Sequence, residues 1–102
     1  MSASIHPPAE QSEEWQVLVI GGGIAGLTSA IYLTRAMHRT LVIDSGDSMA
    51  RWEPDVENYL GFPEGISGSE LLERGRAQAR QFGMEMVEDR IEKLELRDGI
   101  FH

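Results

Sequence analysis

Apolar residues fall in short, separated runs along the chain, and the spacing inside each run differs from one to the next. Residues 16–20 (QVLVI) are nearly all apolar and rich in β-branched side chains, the pattern of a strand buried on both faces of a parallel sheet. From Ile24 to about Met37 the spacing changes to threes and fours. Ile24, Leu27, Ala30, Ile31, Leu33 and Thr34 then share the broad apolar face of a helix. Residues 40–43 (TLVI) are a second buried-strand run, closed by Asp44. Strand, glycine turn, helix and strand make a βαβ unit, whose crossover is right-handed.

Residues 45–68 break the periodicity. They carry Gly46, Pro54, Gly61, Pro63, Gly65 and Gly68, yet also Met49, Trp52, Val56, Tyr59, Leu60 and Phe62. A long loop with this much apolar bulk is expected to be functional or packed on itself. Residues 67–70 (SGSE) have the form of a capping box. They predict a second helix to about Phe82, stopped by Gly83, with Leu71, Leu72, Gly75, Ala79 and Phe82 facing inward. Residues 84–87 predict a third strand, and Ile91, Leu94 and Leu96 a further strand-like run. Asp98-Gly99 then signals a hairpin. Only three residues follow it, fewer than a usual strand, so the chain reads as cut at its C-terminal end.

Composition narrows the picture. With 102 residues, 41% hydrophobic and 25% charged, the chain is one soluble globular domain at most. The net charge is −8, Lys93 is the only lysine, and no basic patch occurs. Nucleic acid and anionic membrane surfaces are therefore not expected partners. There is no cysteine, hence no disulfide and no thiol chemistry within these residues, and a cytoplasmic location fits. Residues 1–14 are polar, with Pro7 and Pro8, and read as a disordered leader rather than a signal peptide. No apolar run approaches the roughly 20 residues that span a bilayer. No metal site is expected.

Candidate chemistry lies between the first strand and the first helix. Gly21-Gly22-Gly23-Ile24-Ala25-Gly26 matches G-x-G-x-x-G. Alone that pattern is weak, but here it follows a buried strand and opens a helix. The helix leads to a second strand that ends in an acid, Asp44. Gly21 permits the tight turn, Gly23 lets a pyrophosphate sit against the backbone, and Gly26 lets the helix pack closely. The first helical N–H groups and the positive end of the helix dipole then face the phosphates. The Asp44 carboxylate can accept from both ribose hydroxyls of an adenosine and would repel a 2′-phosphate. These residues alone leave FAD and NAD both open.

The fingerprint, the acid-ended strand and the later segment VENYLGFPEGISGSELLERGRAQARQFG together resemble the N-terminal FAD-binding segment of the thioredoxin reductase family. That family's loop reads something like VENFPGFP; here it is Val56-Glu57-Asn58-Tyr59-Leu60-Gly61-Phe62-Pro63, followed by Ile66-Ser67-Gly68. The resemblance runs over about residues 16–102 and implies an α/β, Rossmann-like FAD-binding fold. It comprises a βαβ unit with a parallel sheet plus the start of an antiparallel hairpin, with 15–102 as the N-terminal part of the domain. It implies that Gly21, Gly22, Gly23, Ile24, Ala25 and Gly26 cradle the FAD pyrophosphate. Asp44, with Ser45 beside it, would take the adenosine ribose, and Asn58 would reach the flavin. Arg90 and Ile91 would lie by the adenine. It further implies a parent enzyme passing electrons from NAD(P)H through FAD to a disulfide or another acceptor, with a homodimer as one possible assembly and no catalytic residue in this segment.

The chain departs from the family in one place. Where the family has Gly-Gly-Gln-Leu, this chain has Asp47-Ser48-Met49-Ala50. The flavin-side glutamine is absent, and Arg51 or Trp52 stands to replace it, Trp52 being equally suited to a loop core. Two other readings stay open: a truncated, non-catalytic dinucleotide-binding module, and the NAD-binding domain of another dehydrogenase. The loop from Val56 to Ser69 speaks against the latter.

Overall fold

A computed structural model describes residues 14–102 of the chain. The expected leader, apart from Glu14, lies outside the described residues. The elements run β1 (Val17–Ile20), α1 (Ile24–Arg35), β2 (Thr40–Asp44), a 3-10 turn (Met49–Trp52), α2 (Gly68–Gln81), β3 (Glu85–Glu88), β4 (Leu96–Arg97) and β5 (Ile100–Phe101). β1, β2 and β3 form a parallel sheet in that order, with Val17 opposite Thr40 and Leu41 opposite Glu85. β4 and β5 form a separate antiparallel hairpin. The βαβ unit expected from the hydrophobic pattern is present, and the architecture is α/β.

Both helices cover one face of the sheet. Leu27 and Ala30 of α1, Val42 of β2, Leu72 and Ala79 of α2, and Met84 make one buried cluster. α1 and α2 approach closely at Gly75, where an added Cβ would lie 3.2 Å from Leu27 Cδ1. The other face is covered differently. Leu18 and Ile20 of β1 are 37% and 52% exposed, so β1 is not buried on both faces. They border a cavity of about 720 Å³, with Trp15 and the hairpin's Ile100 and Phe101 on its far side. The continuous apolar run QVLVI therefore serves a sheet packed on one side and only partly roofed on the other.

Helix ends depart from expectation for local reasons. α1 stops at Arg35 rather than Met37, because Met37 takes a left-handed φ of 70°. Met37 N–H donates to the Thr34 carbonyl and His38 N–H to that of Leu33. Phe82 was expected inward but is 41% exposed. It is the C-cap of α2, one residue past the helical repeat, and its ring lies under the Arg35 guanidinium, 5.5 Å from the centroid. The capping box forms by half. Ser67 Oγ accepts from the Glu70 N–H at 3.2 Å, while the Glu70 carboxylate pairs forward with Arg74 at 2.7 Å.

The long loop is packed on itself. Val56 and Ile66 exchange backbone hydrogen bonds, and the Tyr59 and Phe62 rings lie 6.2 Å apart. Trp52 is no core residue: it is exposed, with Arg51 stacked 4.7 Å over it. Residues 89–95, which carry Ile91 and Leu94, form no strand. Pairing begins with the Glu95–His102 backbone bonds and runs through β4 and β5 to Asp98-Gly99. The φ values of those two residues are 53° and 78°, as a type I′ turn requires.

Candidate functional site

The site is built on the step from β1 into α1. Gly21 N–H donates to the Ile43 carbonyl at 2.8 Å, which extends the β1–β2 ladder one residue into the loop. The chain then turns at Gly21, whose φ of +102° suits glycine. Gly26 is fixed by contact: a Cβ there would lie 1.9 Å from the Gly21 carbonyl oxygen. The helix start and the loop thus touch backbone to backbone.

Gly23 is the N-cap of α1, and no side chain caps the helix. The first N–H groups, on Ile24, Ala25 and Gly26, have no acceptor within the helix. No acidic residue stands in the first turn. An anion at this point meets free donors and the positive end of the dipole. A Cβ on Gly23 would stand 3.1 Å from Ser48 Oγ, so the loop after β2 closes the far side of this opening.

Asp44 ends β2 and is 5% exposed. Its Oδ1 accepts from the Gly22 N–H at 3.0 Å. Its Oδ2 lies 3.7 Å from Arg76 Nη2 of α2. Beside it runs a cavity of about 290 Å³ lined by Ile20, Gly21, Ile43, Ser45, Asp47, Asp89, Arg90 and Ile91. The lining comes from the ends of β1 and β2 and the loop after β3, where the parallel strands finish and where ligands of such sheets lodge. Arg90 spans the two loops, with Nη2 3.4 Å from Asp47 Oδ2.

Of the residues singled out in the sequence, this cavity brings together Gly21, Ser45, Arg90 and Ile91. Gly22, Gly23, Ile24, Ala25, Gly26 and Asp44 adjoin it through the loop. Arg51 and Asn58 are not in its lining. Arg51 donates to the Gly46 carbonyl within its own loop, and Asn58 is exposed. Arg76 was missed. It stands four residues after Leu72 and three before Ala79, so it shares their inward stripe on α2. A charge on a buried stripe needs a partner, and that spacing is the signal that could have found it. Among the described residues no cluster of acidic and histidine side chains could hold a metal, and no helix is long and apolar enough to cross a membrane.

The FAD dependent oxidoreductase family matches residues 16–53, the stretch from β1 through the 3-10 turn. The chain is 42% identical over 94 residues to the mitochondrial thioredoxin reductase 2 of Saccharomyces cerevisiae, covering 84% of this chain and 27% of that protein. It is 34% identical over 113 residues to NADPH-dependent thioredoxin reductase 3 of Arabidopsis thaliana, covering 99% of this chain and 21% of the relative. An atypical thioredoxin reductase from Desulfovibrio vulgaris Hildenborough superposes with a TM-score of 0.77 at 42% identity, over 83% of this chain and 28% of that one. The chain thus spans less than a third of the length of these relatives. The fold and glycine loop define a dinucleotide-binding unit, and the comparisons place it among the FAD-dependent oxidoreductases. Within that class it corresponds to the N-terminal FAD-binding region of the thioredoxin reductase family.

Proposed function

We propose that residues 15–102 supply the pyrophosphate and adenosine half of an FAD site in a thioredoxin-reductase-like flavoprotein. In the working enzyme, electrons pass from NAD(P)H through FAD to a disulfide or another acceptor. The observation that carries this reading is the opening at Gly23. There the uncapped start of α1 offers N–H donors, with no carboxylate in the first turn and a backbone contact at Gly26 that excludes any side chain. A pyrophosphate fits this donor set.

In this reading Gly21, Gly22 and Gly23, with Ile24, Ala25 and Gly26, hold the two phosphates. Asp44 accepts from the ribose: a carboxylate has about four acceptor positions, and the Gly22 amide uses one. Ser45, Arg90 and Ile91 line the adenine side. Arg51 and Asn58 serve the flavin end. FAD, when bound, supplies the hydride and electron chemistry, and the chain's own groups bind and orient it. NADPH as donor is favoured by the name of the Arabidopsis relative. It would bind elsewhere, because Asp44 disfavours a 2′-phosphate at this site. A homodimer and a cytoplasmic setting complete the reading.

The test is direct. The purified 102-residue chain is mixed with FAD, passed through gel filtration, and its visible spectrum recorded. Retained flavin absorbance is the expected result. A colourless chain that NAD, but not FAD, protects against thermal unfolding would replace this reading by an NAD-binding domain. A chain that binds neither would be a non-catalytic module.

A further inference from the structure

We propose that Arg76 is a positioning residue for the dinucleotide loop. From α2 it fixes the Asp44 carboxylate, and through Asp44 it fixes the Gly22 amide, so that the loop is shaped before any ligand arrives. The inference rests on the FAD reading for its purpose, but not for its structural content.

Three observations converge on it. Asp44 Oδ1 accepts from Gly22 N–H at 3.0 Å, and Asp44 Oδ2 lies 3.7 Å from Arg76 Nη2. The Asp44 side chain is 7% exposed and that of Arg76 31%, so the carboxylate is shielded from solvent and the guanidinium partly so. The loop is also tightly packed here. A Cβ on Gly22 would lie 2.9 Å from Asp44 Cβ and 2.8 Å from Met86 Cε. No side chain fits between Gly22 and Asp44, and their hydrogen bond links a shift of the carboxylate to the Gly22 backbone.

The third observation is an anomaly. Arg76 Nε is buried without a hydrogen-bond partner. An unsatisfied buried donor destabilises the fold, and an apolar side chain of similar length would remove it. Replacing both members of a shielded charge pair by apolar groups is often neutral or stabilising, whereas removing one leaves the other uncompensated. A residue serving packing alone would not be an arginine here. The charge is accounted for if its task is to hold Asp44 in one orientation. A carboxylate hydrogen-bonded at one oxygen and ion-paired at the other keeps its remaining acceptor positions at set directions, and it holds the Gly22 backbone in place through the amide.

The experiment compares Arg76→Met and Arg76→Lys with the natural 102-residue chain. Amide exchange at Gly22 is followed by NMR without ligand, FAD affinity by flavin fluorescence, and the melting temperature alongside. Arg76→Met leaves the shielded Asp44 carboxylate without its charge partner and is expected to melt lower, so Gly22 exchange is read relative to that of the core amide of Val42. On that scale the variant's Gly22 amide should exchange at least tenfold faster, and FAD should bind at least tenfold more weakly. Arg76→Lys keeps the charge and should recover most of both. Should Arg76→Met fail to fold, Arg76→Gln in its place preserves the amide readout. An unchanged Gly22 exchange rate in the neutral variant overturns the proposal, as does a lysine variant no better than methionine. A natural chain that binds no FAD would sink the functional reading instead, and the amide exchange would still decide the role of Arg76.

Discussion

Gly23 and Gly26 sit three residues apart in one motif, yet physically they do different things. At Gly26 the place of a Cβ is taken by the Gly21 carbonyl, 1.9 Å away. No rotamer change relieves a clash with backbone, so Gly26→Ala must part β1 from α1. The expected loss is about 3 kcal/mol or more, at the upper end for overpacking, seen as a large fall in the urea midpoint. At Gly23 the nearest atom is the Ser48 hydroxyl at 3.1 Å. The φ of −79° there suits any residue. Gly23→Ala should therefore cost no more than about 1 kcal/mol, the scale of a poorer N-cap residue, while weakening FAD at least tenfold. If both variants lose stability alike, the motif serves packing and not phosphate. These glycines can be read from sequence because their constraints act through nearby backbone, and Asp44 because it ends the strand that follows the glycine loop and helix. Arg76 could not be read so readily. Its partner is 32 residues away, and only the Leu72–Arg76–Ala79 stripe hints that it turns inward.

At the scale of elements, what reads well is whatever carries its own period or its own turn chemistry. β1, α1, β2 and α2 follow from apolar spacing, and the Asp98-Gly99 turn from the left-handed φ values it needs. The segment with Ile91 and Leu94 does not become a strand, because a strand exists only where a partner pairs with it. The two helix ends show how far local chemistry reaches. After α2, Gly83 at φ +99° donates to the Arg80 carbonyl, and Met84 donates to that of Ala79. After α1 the same pair of bonds closes from Met37 and His38. The motif is identical, a left-handed residue one past the C-cap, but α1 places a methionine where α2 has glycine. The left-handed conformation costs a side-chain-bearing residue roughly 1–2 kcal/mol. The Met37 side chain is 88% exposed and recovers little by packing. Met37→Gly is therefore expected to stabilise the fold by about 0.5–1 kcal/mol, less than the full strain because glycine also loosens the unfolded chain. Denaturant unfolding at equilibrium measures it, and a destabilised variant would show that the methionine side chain has contacts worth more than its strain.

At the scale of the whole molecule, the described residues leave the sheet with one finished face and one open one. Leu18, Ile20, Leu94, Ile100 and Phe101 are all exposed around the cavity between β1 and the hairpin. Among the described residues β1 and β3 are the edge strands of the sheet, and edge strands invite pairing. A contiguous apolar surface of this kind favours association, and each such side chain fully buried contributes roughly 1.5–3 kcal/mol. The net charge of −8 works against it, since like-charged copies repel, but salt screens that repulsion within about 10 Å at 0.1 M. Burial of apolar area is not screened. The two effects therefore separate by their salt dependence. In sedimentation equilibrium the 102-residue chain should gain average mass with concentration, and gain more as salt is raised. Leu18→Lys, which puts a charge on the open face of β1 and none on the helix side, should return it towards the monomer. Association that weakens with salt would instead mean that ion pairs join the copies. A monomer at every concentration would mean that the hairpin roofs the sheet well enough to keep its apolar face from other chains.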